Sequence, residues 1–189
     1  MKNKAKILSI VAISFFIGLI AGYTLSNKKN AEHSNTQGAA SEYSAGPSVG
    51  SKIDSQIQLL ESNGNKKTLA DYKGKSLMIN FWASWCGPCL VEMPALFEIQ
   101  KKYQAKGFQI LAINLDDDIK DGVAILDKKF HGVPFPIFQG MKSSILKTFP
   151  VEGVPYTVLV DKAGNIQFSE AGEVDWLEQE NLEKIEKIL

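Results

Sequence analysis

Apolar and polar positions change rhythm several times along this chain, and each rhythm predicts an element. Residues 7–25 form an uncharged, mostly apolar run of about 19 positions, close to the roughly 20 that cross a bilayer as a helix. From Ser26 to about Ser55 the chain is Ser, Asn, Gly, Ala and Gln with little to bury, the composition of a flexible tether. Globular patterning begins near Gln56. Ile57 and Leu59, followed by a turn at Asn63-Gly64-Asn65, predict an opening hairpin. Ser76 to Trp82 is almost continuously apolar, as in a strand covered on both faces. Residues 86–106 carry Leu90, Met93 and Phe97, and then Leu96, Ile99 and Tyr103, at helical spacing. A second buried strand follows at 108–115, then helices at Ile119–Phe130 and 143–149. Tyr156–Val160 reads as a strand, Asp161-Lys162-Ala163-Gly164-Asn165 as a turn, 166–169 as a further strand and 175–189 as a closing helix. Strands alternating with helices, and then a hairpin, predict an α/β sandwich around a mixed sheet.

The N-terminal run changes the picture from a domain to a tethered domain. Signal-peptide cores span about 7–15 apolar residues and end at an A-x-A-like site. Ala21-Gly22-Tyr23 and Thr24-Leu25-Ser26 match that poorly, so an uncleaved anchor is favoured over a cleaved signal sequence. Lys2, Lys4 and Lys6 precede the run and only Lys28 and Lys29 follow it. That bias places the N-terminus in the cytoplasm and the remainder outside, on the extracytoplasmic (periplasmic) side of the cell membrane. The expected organisation is an anchor or signal at 1–25, a tether at 26–52 and a folded domain at 53–189.

Charge and composition then narrow the chemistry. Acidic and basic residues balance at 21 each, so no global field points toward nucleic acid. Only two cysteines occur, three positions apart, which excludes a multi-disulfide scaffold and a four-thiolate zinc site. The two histidines, His33 and His131, have no ligand-like spacing, and no metal is expected. Asp116-Asp117-Asp118, between strand and helix, reads as a solvated helix cap rather than a cation site.

Cys86-Gly87-Pro88-Cys89 opens the predicted 86–106 helix. A helix N-terminus offers unpaired amides and the positive end of a dipole, which stabilise a thiolate on Cys86. Cys89 lies one turn further on, within reach to close a disulfide. Cys86 would attack a substrate disulfide and Cys89 would resolve the mixed species. Pro88 in the first turn removes an amide hydrogen that has no intrahelical partner there. On the motif alone, a fixed disulfide or half of a zinc site stays open.

The surrounding residues resemble a known family. Asn80-Phe81-Trp82-Ala83-Ser84-Trp85-Cys86-Gly87-Pro88-Cys89 is similar to the active-site segment of the thioredoxin superfamily, and Pro94 matches the proline of its active-site helix. Gly153-Val154-Pro155-Tyr156 resembles that family's cis-proline loop. Tyr72-Lys73-Gly74-Lys75, together with Cys89-Leu90-Val91-Glu92-Met93-Pro94, resembles the TlpA/ResA-type branch of membrane-anchored extracytoplasmic oxidoreductases, over about residues 53–189. The resemblance implies a thioredoxin-like three-layer sandwich with a central mixed sheet, preceded by a transmembrane helix. It implies a thiol–disulfide oxidoreductase whose redox-active pair is Cys86–Cys89, with no separate cofactor.

Roles carried by the resemblance fall on particular residues. Val154 and Pro155 would face the disulfide and pair with substrate backbone, the Val154–Pro155 bond being cis. Trp85 would shield the disulfide or form part of the docking face, with Gly87 and Pro88 also contacting substrate, while Trp82 suits plain core packing. Thioredoxin has a buried aspartate where this chain has Asn80. Glu92, three residues after Cys89 and on the same helical face, is where the TlpA/ResA-type branch places a glutamate. A carboxyl near buried thiols would have a raised pKa and could shuttle the Cys89 proton.

Gly-Pro between the cysteines is thioredoxin's own dipeptide and implies reducing rather than oxidising chemistry. Expected partners are exported disulfide proteins such as apocytochrome c, with its C-x-x-C-H, and a membrane electron donor of the thiol-reducing type. Three alternatives compete with this reading. A disulfide oxidase or isomerase would use the same pair. A peroxiredoxin-like peroxidase fits poorly, since Ile79 and Ala83 stand where that family has Pro and Thr or Ser. A non-catalytic Cu(I)-binding chaperone would use the two thiolates but lacks a Met-rich or His-rich surround.

Overall fold

Period-two alternation inside nearly continuous apolar strands builds the centre of this fold. The computed structural model describes residues 47–189, so the expected membrane segment at 1–25 lies outside the described residues. The elements in chain order are β1 (Gln58–Leu60), β2 (Lys66–Thr68), β3 (Ser76–Trp82), α1 (Gly87–Tyr103), β4 (Phe108–Asn114) and α2 (Ile119–Phe130). They continue with β5 (Ile137–Gln139), α3 (Ile145–Thr148), β6 (Tyr156–Val160), β7 (Ile166–Ala171) and α4 (Gln179–Lys187). Five strands share one sheet in the order β5-β4-β3-β6-β7, and β1 pairs with β2 as a separate antiparallel hairpin. β3, β4 and β5 are mutually parallel, whereas β6 runs antiparallel to both of its neighbours, β3 and β7. The sheet is therefore mixed, as expected.

Alternate residues of β3 feed two separate cores. Met78 and Trp82 join α1 (Met93, Leu96, Ile99), Leu126 of α2 and Ile185 of α4. Leu77, Ile79 and Phe81 join the opposite layer, where Leu59, Leu69, Ile145 and Phe149 cover the sheet. Three layers result, with long helices on one face and the hairpin plus short helical turns on the other.

Several boundaries differ from expectation. α1 ends at Tyr103 and tightens into a 3-10 turn at Gln104–Lys106, closed by Gly107 at φ +84. The closing helix starts only at Gln179, because Trp176 is drawn fully into the core and the chain turns there, with Asp175 accepting from the Leu177 amide. β5 was not anticipated. Pro134 and Pro136 both precede this three-residue edge strand, which forms because Phe138 is completely buried under the hairpin layer. Residues assigned by composition to the tether also join the sheet edge. Gly50 donates its amide to the Ile166 carbonyl at 2.7 Å, and Lys52 bridges to Asn165.

Candidate active site

The cysteines sit where the central strand stops. β3 ends at Trp82, and the next residues turn the chain into α1, leaving Cys86 as the helix N-cap in an extended conformation. Its Sγ accepts a hydrogen bond from the Cys89 amide at 3.2 Å. Cys86 and Cys89 are joined as a disulfide with an S–S distance of 2.03 Å. Both sulfurs are sheltered, and Cys86 is slightly the more accessible, at 5% against 1%. An amide already aimed at Sγ is the donor that would stabilise a Cys86 thiolate once the bond opens. Pro88 occupies the first turn, where it costs the helix no bond, and Pro94 lies within the helix. Trp85, Gly87 and Pro88 are exposed beside the disulfide, Trp85 at 71%. Trp82 is wholly buried, as its core role required.

The approach to Cys86 is fixed from an unexpected quarter. Asp116 is not part of a solvated cap but is buried, its carboxylate accepting from the Ser84 amide, the Ser84 hydroxyl and Asn114 Nδ2 at 2.8–3.1 Å. The capping role falls to Asp118 alone, which accepts from the Lys120 amide at 3.0 Å. Three consecutive aspartates look alike along the chain, and only the return of the β4 end to the Ser84 loop distinguishes them.

The loop ahead of β6 reaches the same place. Val154–Pro155 is a cis peptide bond. Tyr156 pairs with Phe81 in the antiparallel register, so Pro155 follows directly across from the Trp82 end of β3. Val154 packs against both cores, at the seam where the two layers meet. One position further into the strand pair, Asn80 Nδ2 donates to Thr157 Oγ1 at 3.0 Å, while Asn80 Oδ1 is buried without a partner.

Glu92 is the buried carboxyl of α1, only 4% exposed. Oε1 accepts from the Val174 amide at 2.6 Å, and Oε2 has no hydrogen-bond partner. Burial pushes its pKa up to about 7; the Val174 amide pulls the other way, the negative charge of Glu173 adds to the rise, and the Trp176 indole lowers it. The indole N–H is close enough to favour the carboxylate, yet it forms no well-aligned hydrogen bond, since Trp176 Nε1 is also unpartnered. A carboxyl near pKa 7 is half charged at neutral pH, suited to taking and returning a proton.

The fold thus brings Cys86, Cys89, Glu92, Trp85, Val154 and Pro155 to one end of the sheet. Sequence reasoning missed Asp116, Val174 and Trp176. A lone tryptophan ahead of the amphipathic closing segment was the one available signal for the last of these.

Comparison with known proteins agrees with this geometry. The Redoxin family model matches residues 48–187. The thiol-disulfide oxidoreductase ResA of Geobacillus thermodenitrificans is 37% identical over 109 residues, 58% of this chain and 62% of that protein. The match therefore spans less than two thirds of that relative. ResA of Bacillus subtilis is 28% identical over 168 residues, 88% of this chain and 85% of its own. Among solved structures, a provisionally named thiol-disulfide oxidoreductase from Bacteroides vulgatus superposes with a TM-score of 0.64 at 30% identity, covering 75% of this chain and 97% of its own. A provisionally named thiol:disulfide interchange protein DsbE from Chlorobium tepidum gives 0.63 at 28% identity, covering 75% and 99%.

Proposed function

This chain belongs to the Redoxin family and is a TlpA/ResA-type member of the thioredoxin superfamily; from that premise we propose that it reduces disulfides of exported proteins through Cys86 and Cys89. The observation that carries the reading is the disulfide at the start of α1, with the Cys89 amide aimed at Cys86 Sγ.

In the reduced protein, the Cys86 thiolate attacks one sulfur of a substrate disulfide. That bond breaks, the first substrate thiolate leaves and takes up a proton, and a mixed disulfide on Cys86 forms. Glu92 as carboxylate takes the proton from the Cys89 thiol. The Cys89 thiolate then attacks Cys86 Sγ and releases the second substrate thiolate, which the Glu92 proton neutralises. Two electrons have passed to the substrate, and the Cys86–Cys89 disulfide is left for a membrane-held thiol donor to reduce. Trp85, Gly87 and Pro88 offer an apolar rim to the substrate, and the backbone at Val154 and Pro155 pairs with its chain. Substrates of this class include apocytochrome c, whose C-x-x-C-H must be reduced before haem attachment. Residues 1–25 hold the domain on the extracytoplasmic side of the cell membrane.

The full-length protein, exhaustively chelated, is expected to turn over a peptide disulfide with a dithiol donor. Cys89→Ser is expected to stop at a mixed disulfide on Cys86 that mass spectrometry identifies. Absence of turnover in the chelated wild type, or absence of the adduct, would overturn the proposal.

A further inference from the structure

The connection from β7 to α4 makes more contacts than joining a strand to a helix requires. Gly172, at φ +101, donates its amide to the Pro155 carbonyl at 2.8 Å. Val174 donates to Glu92 Oε1, and the Asp175 carbonyl accepts from Asn181 Nδ2 at 2.8 Å. Trp176 is fully buried in the core cluster that holds Cys86 and Cys89. Within five residues the chain is therefore fastened to the docking loop, the carboxyl, α4 and the core beneath the cysteine pair.

We infer that residues 172–176 form a positioning strap for Glu92, fixing its carboxyl near the cysteine pair and setting how readily it takes a proton. The inference rests on the proton-shuttle role proposed for Glu92 and adds to it the residues that govern the shuttle. The strap acts on the carboxyl with opposite signs. Glu173, exposed and negative, disfavours the carboxylate, whereas the Trp176 indole and the Val174 amide favour it. Among the described residues Glu173 is the one charged group that acts on the Glu92 carboxyl. The cysteines of α1 are held as a disulfide, and the β3 face under that helix presents Asn80 and Trp82. A purely structural apolar anchor at position 176 would be filled as well by Phe. An indole N–H buried without a settled partner costs stability, and it becomes useful when the unpartnered Glu92 Oε2 ionises.

The test is a carbon-13 NMR titration of the Glu92 side-chain carboxyl in the oxidised full-length protein, its signal identified by its loss in Glu92→Gln. Glu173→Gln is expected to move the titration midpoint to lower pH, and Trp176→Phe to move it to higher pH. In about 1 M salt, where screening acts over about 3 Å, the Glu173 effect is expected to vanish and the Trp176 effect to persist. An unmoved midpoint in a folded variant, or two shifts of the same sign, overturns the strap. Glu173 is exposed, so Glu173→Gln decides the matter even where Trp176→Phe fails to fold. Turnover is not read in this titration, so a failure of the oxidoreductase reading would be seen separately.

Discussion

Glu92 is held at 4% exposure with one oxygen unpartnered, and that burial favours its neutral form more than the Val174 amide on the other oxygen favours the carboxylate. The consequence is a dependence of stability on pH. The folded chain keeps the Glu92 proton up to about pH 7, whereas the unfolded chain releases it near 4.5, so folded Glu92 binds more protons across that window. Stability therefore falls as pH rises from about 4.5 to 7, by on the order of 3 kcal/mol at one tenfold step per 1.4 kcal/mol. Glu92→Gln, neutral at every pH, is expected to remove this decline in denaturant midpoints of the oxidised protein and to slow mixed-disulfide resolution by about 100-fold. Parallel pH curves for variant and wild type would remove Glu92 from the account. This residue was legible in the sequence from its three-residue offset to Cys89 together with the resemblance to the TlpA/ResA-type branch. Asp116 was not, because its burial depends on a partner 32 positions away, Ser84.

Elements with strong internal patterning form where that patterning predicts them. β3, β4, α2 and β6 fall within a residue of expectation, since their apolar spacing alone specifies them. β5 and the late start of α4 were missed for the opposite reason: a three-residue strand has no period, and Trp176 leaves a helical pattern only because the core has room for it. Helix packing also depends on a position the pattern does not mark. A Cβ on Gly122 of α2 would meet Asn114 Nδ2 and approach Asp116 Oδ2 at 2.9 Å, the same groups that hold the Ser84 loop. Gly to Ala at an open helical site would stabilise by about 1 kcal/mol. Here Gly122→Ala is expected to destabilise by about 1–3 kcal/mol, read as a lower thermal midpoint. An unchanged or higher midpoint would mean the loop is not locked by this contact.

At the scale of the molecule, the two cores are built unequally and the redox pair lies in the one covered by long helices. Trp82 and Trp176 fill that core, while Trp85 stands out from it beside Cys86. Among the described residues no helix is long and apolar enough to cross a membrane, and the proposed anchor rests on the apolar run at 7–25. An extracytoplasmic site favours disulfides, so a reductant there has to be low in potential and resupplied through a donor. The most direct measurement is the equilibrium of the Cys86–Cys89 pair in the full-length protein against a thiol–disulfide buffer of known potential. A value near the thioredoxin range of about −270 mV is expected, whereas a value near that of dedicated oxidants, about −120 mV, would contradict a reducing role for the pair.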